Sequence, residues 1–161
     1  MLNGWILIGG RSSRFGADKV VHRVDGVPLV HRLAGVLAAA GLTPGVVGKV
    51  PRELGLPELV EAEAGPHPLF GVARALAEGP ALFTPVDLVD LDVGQVRTLV
   101  AAWTSSPAGV YARGQPLLLV LPGAAGAGAR AVACAGGSVR SFVAGLVEVD
   151  LGSIRNLNTP G

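Results

Sequence analysis

Leu7-Ile8-Gly9-Gly10-Arg11-Ser12-Ser13-Arg14-Phe15-Gly16-Ala17-Asp18-Lys19 follows directly on Trp5-Ile6. Trp5 to Ile8 is a short unbroken apolar run stopped by two glycines, the pattern of a parallel strand buried on both faces. Beyond it, backbone N–H groups can approach a ligand closely only where side chains are absent, and Gly9, Gly10 and Gly16 supply such positions. Arg11, Arg14 and Lys19 bring positive charge to the same loop. A segment of this kind can hold a polyphosphate; it can also be an ordinary polar loop. Neither of the two widespread glycine-loop signatures fits. No start at Gly9 or Gly10 puts Gly-Lys at the Walker spacing, and the G-x-G-x-x-G pattern fails because two glycines are adjacent and the next, Gly16, lies six residues past Gly10.

Composition narrows the class. Half of the 161 residues are apolar and 16% are charged, which excludes a disordered chain and supplies a substantial core. By length the chain reads as one domain, 1–161. A formal net charge of +1 gives no global field for nucleic acid or a membrane surface, so any attraction for an anion has to be local. The single cysteine, Cys134, excludes an internal disulfide and CxxC metal sites, and is expected to be buried. No basic leader precedes the first strand and no run of about 18 apolar residues occurs, so a soluble, cytoplasmic protein is expected.

Downstream, glycines and prolines punctuate alternating strands and helices. Gly26 to Pro28 reads as a turn, with Pro28 opening a helix through Ala40 that carries Leu29, Leu33, Val36 and Leu37 on one face and ends at Gly41. Pro44 to Val47 and Leu59 to Glu61 read as strands, with a helical turn near Arg52 to Leu54 between them. Leu69 to Ala77 has helical spacing, Gly79-Pro80 breaks it, and Ala81 to Phe83 forms another buried strand ending at Thr84-Pro85. Asp92 can cap a helix from Val93 to Trp103. Val110 to Ala112 and Leu117 to Leu121 flank a turn at Arg113 to Gln115, which makes the sheet mixed. The Gly/Ala-rich tract from Gly123 to Gly137 reads as a flexible linker or as a helix over Ala129 to Ala135, with the helix preferred. Ser138 can cap Val139 to Ala144, and Leu146 to Val149 gives a last strand. The alternation predicts an α/β sheet with helices on both faces.

Once the two familiar signatures fail, the opening loop stands as L-x-G-G-x-x-x-R-x-G-x-D-K. It resembles the signature loop of the nucleotidyltransferases with a Rossmann-like three-layer α/β fold, and is most similar to that of the molybdenum cofactor guanylyltransferases. Val24 to Leu29 resembles that family's G-x-P-L approach to its first helix, and Gly65-Pro66-His67-Pro68-Leu69-Phe70-Gly71 its G-P-L-x-G loop. Thr84-Pro85-Val86-Asp87 resembles its P-x-D strand end, and Asn156-Leu157-Asn158-Thr159-Pro160 its N-x-N-T-P. The islands follow family order across almost the whole chain. Departures are Ile8 where Ala is usual, His67 where a small Gly is common, Val47-Gly48-Lys49 where an asparagine is often found, and Leu88 where a second proline commonly follows. The resemblance implies a mostly parallel, mixed sheet in one domain. It also implies transfer of GMP from Mg²⁺-bound GTP to the terminal phosphate of molybdopterin, with pyrophosphate leaving. It leaves room for transient contact with cofactor-delivering proteins and implies no nucleic-acid or membrane partner.

Nucleotidyl transfer moves negative charge onto departing pyrophosphate, so positioned cations and backbone dipoles carry most of the stabilisation. The resemblance implies Lys19, Arg14 and Asp87 as the catalytic groups, with Leu7, Ile8, Gly9, Gly10, Arg11 and Gly16 wrapping the nucleotide largely through backbone. Asp87 ends a buried strand, where open α/β sheets bind ligands. A carboxylate there suits Mg²⁺, which takes few protein oxygens and fills its shell with water and phosphates. Asp92 is explained as a helix cap and Asp90 as a solvent-facing loop charge. The matched loops put His67, Pro68 and Leu69 near the base, and Asn156 and Asn158 near a pterin or phosphate; the asparagines serve equally as turn formers. His22 and His31 read as surface or packing residues. Alternatives on the same scaffold are a CTP-dependent or sugar- or alditol-phosphate transferase, and a catalytically silent GTP-binding scaffold.

Overall fold

Successive side chains along a strand point to opposite faces of the sheet, and the apolar runs of this chain fill both. The computed structural model describes residues 2–8, 22–48, 53–61, 65 and 67–157. Seven strands form one sheet: β1 (Asn3–Leu7), β4 (Thr43–Gly48), β5 (Glu58–Val60), β6 (Ala81–Pro85), β7 (Val110–Ala112), β8 (Gln115–Leu121) and β9 (Val147–Val149), in the order β5-β4-β1-β6-β8-β7-β9. Every pairing is parallel except those of β8 with β6 and with β7. The sheet is therefore mostly parallel and mixed, as expected.

Two apolar clusters lie on its two faces. Ile6, Val46, Leu82, Leu118 and Val120 pack with α1 (Leu29–Ala39) and α3 (Val93–Ser105) through Leu29, Leu33, Leu37, Val96 and Leu99. Trp5, Val47, Phe83, Leu119 and Leu121 face the other way. They meet α2 (Pro68–Leu76), α4 (Gly126–Cys134) and α5 (Val139–Val143) through Leu69, Val72, Leu76, Ala129, Ala133 and Val143. Neighbours in sequence thus serve opposite layers, which is why these strands lack the polar alternation of a half-exposed sheet. Among the described residues, no helix is long and apolar enough to cross a membrane.

Several expectations are corrected. Val27–Pro28 is a short strand, β3, paired with β2 (Arg23–Val24), and Gly26 turns between them at φ 81. Pro28 consequently has an extended ψ of 136 and caps α1 from outside instead of opening it. Glu53 and Leu54 form no helical turn, since Glu53 sits at φ 51; Arg52 lies outside the described residues. Cys134 is exposed. The buried positions of α4 are Gly126, Ala129 and Ala133, and residue 134 falls one helical step of about 100° off that stripe. The Gly/Ala tract is helical, though the helix starts earlier than expected, after a 3-10 turn at Gly123–Ala125.

At the β9 edge, Tyr111 donates its hydroxyl to Glu148 at 3.1 Å, and Arg113 reaches Glu148 at 2.7 Å and Asp150 at 3.2 Å. The Arg113 guanidinium, followed by the Tyr111 hydroxyl, holds the Glu148 carboxyl below its ordinary value. These exposed contacts fasten the last strand to β7.

Candidate active site

Parallel strands deliver their carboxyl ends to one edge of the sheet, and here β1, β4, β5 and β6 do so together. Leu7 of β1 lies level with Val47 of β4 and with Pro85 of β6. Gly9, where the glycine loop begins, is two residues past Leu7, and Asp87 is two residues past Pro85. The two sequence islands therefore leave the sheet from adjacent strands. Gly9, Gly10, Arg11, Arg14, Gly16, Lys19 and Asn158 lie outside the described residues.

The half-buried Asp87 is built into a second connection. Leu88 pairs antiparallel with Asn156, the Leu157 N–H donates to the Asp87 carbonyl at 2.7 Å, and the Val89 N–H donates to the Arg155 carbonyl at 3.0 Å. The Asp90 carboxylate accepts the Arg155 N–H at 2.6 Å, so Asp90 anchors the returning chain and is more than a solvent-facing charge. This ladder joins the P-x-D strand end to the N-x-N-T-P segment, its bridge spanning 68 residues of sequence. Asp92 then starts α3 with a full capping box, its side chain accepting from Gln95 N at 2.8 Å and Gln95 Oε1 accepting from Asp92 N at 3.0 Å. Arg32 of α1 donates to the Val89 carbonyl, tying the loop down from the other side.

The loop before α2 is fixed by His67. Its Nδ1 accepts the Leu69 N–H at 3.1 Å, and its Nε2 pairs with the Gly137 carbonyl in the turn between α4 and α5. A carbonyl can only accept, so the ring carries its proton on Nε2. Both nitrogens are engaged by the protein, and the ring meets Phe70 edge-on at 6.5 Å. His67 is thus a helix cap and a strut, with no ring nitrogen left over for a base. Leu69 is fully buried and its N–H is taken by the cap, so it serves the core. Ile8 likewise is buried and gives its N–H to the Val47 carbonyl at 2.9 Å. We expect His67→Ala to cost about 1–2 kcal/mol, through loss of the cap and the strut. His67→Asn, which can still cap but is too short to reach Gly137, is expected to cost less. Thermal melts of the two variants check the order, and equal losses would remove the strut from the account.

One residue was passed over in the sequence. Glu61, just after β5 on the same edge, is 4% exposed, and its N–H donates to the Gly48 carbonyl at 2.6 Å. Nothing in Leu59-Val60-Glu61 marks a buried carboxylate. His31 is exposed and bonds the Leu54 carbonyl at 2.8 Å, and His22 is exposed, both as expected.

Among the described residues, no three His, Cys, Asp or Glu side chains assemble a metal cage. Asp87 offers a carboxylate at this edge, beside the exit of β1. That fits a hard divalent ion such as Mg²⁺, which takes one or two carboxylates and completes its shell from phosphates and water.

A mostly parallel three-layer sheet, a glycine loop leaving β1 and a carboxylate leaving the adjacent β6 define an α/β nucleotidyltransferase. The sequence profile of the MobA-like NTP transferase domain matches residues 4–149, and the chain belongs to that family. A probable molybdenum cofactor guanylyltransferase of Rhodopirellula baltica is 30% identical over 99% of this chain and 88% of its own length. A probable molybdenum cofactor guanylyltransferase of Pyrococcus furiosus is 36% identical over 95 residues, 55% of this chain and 48% of that protein. The crystal structure of molybdopterin-guanine dinucleotide biosynthesis protein A from Archaeoglobus fulgidus superposes with a TM-score of 0.75 at 14% identity, over 93% of this chain and 84% of that one.

Proposed function

We propose that the protein transfers GMP from GTP to the terminal phosphate of molybdopterin. An acceptor phosphate oxygen bonds to the α-phosphorus, the bond from that phosphorus to the bridging oxygen breaks, and pyrophosphate departs with the electron pair. The observation that carries this reading is the convergence at one sheet edge of the β1 exit, Asp87 after β6, and the Asn156 segment laddered to it. The relatives named as probable guanylyltransferases support the choice of substrates.

In this reading Lys19 and Arg14 neutralise the phosphates, and the glycine loop offers N–H groups to them. Asp87 is the residue that would hold Mg²⁺, which when bound offsets the charge of the triphosphate. Asn156 and Asn158 are assigned to the acceptor in this reading. Proteins that deliver or receive the labile cofactor are partners in this proposal.

A panel of nucleoside triphosphates with molybdopterin and Mg²⁺, read as pyrophosphate release, tests it. GTP is expected to exceed CTP by about tenfold or more in kcat/KM. Equal or greater turnover with CTP would defeat the guanylyl assignment. Tight GTP binding with no turnover would make the protein a silent scaffold.

A further inference from the structure

We infer that Arg155 is the counter-charge for the acceptor's phosphate monoester; the inference rests on the transfer reading above. The chemistry at this edge demands such a cation. Asp90 stands three residues from Asp87 on one loop and, unlike Asp87, has no divalent ion assigned to it, so a phosphate monoester brought to this loop meets an uncompensated carboxylate. Cations that serve the nucleotide are occupied by the triphosphate, so the incoming phosphate needs one of its own.

Arg155 is placed to supply it. Its backbone is pinned at two points, its N–H donating to the Asp90 carboxylate at 2.6 Å and its carbonyl accepting the Val89 N–H at 3.0 Å, and the Leu157 N–H two residues on donates to the Asp87 carbonyl at 2.7 Å. Opposed residues of an antiparallel ladder stand about 4.5–5.5 Å apart at Cα, so Arg155 begins across from Val89, two residues from Asp87. Among the described residues its side chain is nevertheless uncommitted. Asp90, the carboxylate within reach, is spent on the backbone N–H instead of the guanidinium. Arg155 is exposed, and its guanidinium makes no hydrogen bond or ion pair with the described residues.

The contrast with Arg32 is informative. Arg32 approaches the same loop from α1, is half-buried, and spends its guanidinium on the Val89 carbonyl. It already explains how the loop is held, so Arg155 is not needed for that task. A planar guanidinium with free donors is the side chain best matched to two oxygens of a phosphate, and a fixed Cα lowers the entropy lost when it binds.

Arg155→Ala, Arg155→Lys and Arg155→Glu, compared with the wild type, test the assignment in steady-state transfer from Mg²⁺-GTP to molybdopterin. Equilibrium binding of molybdopterin is followed in parallel by its fluorescence. The KM for molybdopterin is expected to rise by about tenfold in the Ala variant and further in the Glu variant, with partial recovery in the Lys variant. The KM for GTP and the melting temperature are expected to stay at wild-type values. An unchanged KM for molybdopterin overturns the inference, as does an equal rise in the KM for GTP or a Glu variant no worse than the Ala variant. A wild-type protein that does not transfer GMP, yet binds molybdopterin in an Arg155-dependent way, overturns the transfer reading and leaves the phosphate contact standing. One that neither transfers nor binds overturns both.

Discussion

Asp87→Asn is expected to lower turnover by at least about 10²-fold, or about 2.7 kcal/mol of transition-state stabilisation, the scale lost when one preorganised electrostatic contact is removed. Asparagine keeps the size of the side chain and one acceptor oxygen but loses the charge. The Leu157 N–H bonds to the backbone carbonyl of Asp87, so the ladder that fastens residues 155–157 survives the substitution. The melting temperature should therefore move little while kcat falls, and the Mg²⁺ concentration needed for half-maximal rate should rise. Lys19→Ala is expected to cost a similar factor, by removing an ammonium from the phosphates, whereas Arg11→Ala should matter far less. Single-turnover rates with saturating GTP separate loss of chemistry from loss of binding. Because the proposed reaction has Lys19 and Asp87 acting on one triphosphate, the double variant should be much less than additive. Wild-type turnover in Asp87→Asn would remove this carboxylate from the metal site.

The sequence carried most of the layers because both faces of the central strands are buried, and such strands announce themselves as apolar runs between glycines and prolines. Asp92 was legible as a cap for the same local reason, although the reciprocal bond from Gln95 was not, since Gln95 reads equally as a wet-side helix residue. Properties set by contacts distant in sequence were not legible. Asp90 looks like any loop carboxylate until Arg155 arrives opposite it, 65 residues later. His67 sits in a loop where a small residue is common, and a sequence gives no sign that the Gly137 carbonyl, 70 residues away, occupies its ring. Cys134 was expected to be buried on the average habit of free cysteines, but its position relative to the Ala129 and Ala133 stripe decides the matter.

Gly48 shows the same point with an expected effect on stability. Val47-Gly48-Lys49 departs from a pattern that often has an asparagine there, and the departure has a local cause. A Cβ built on Gly48 would lie 2.7 Å from Ile8 Cγ1 and 2.8 Å from the Ile8 carbonyl oxygen. Ile8 in turn is bulkier than the alanine usual at its position, and the missing side chain at residue 48 makes room for it. Gly48 also accepts the Glu61 N–H through its carbonyl at 2.6 Å, so it is held from both neighbouring strands and cannot back away. Gly48→Ala is expected to cost about 2 kcal/mol, lowering the melting temperature by roughly 4–8 °C, because backbone has to move to relieve the overlap. Gly35→Ala is the control: Gly35 lies in the exposed face of α1 with nothing within 4 Å of its built Cβ, and should gain about 0.4–1 kcal/mol. The movement forced at Gly48 falls on Ile8, the residue from which the glycine loop departs. The KM for GTP should therefore rise in Gly48→Ala and stay unchanged in Gly35→Ala. A Gly48→Ala protein as stable as wild type would show that the β1 exit yields freely to the change.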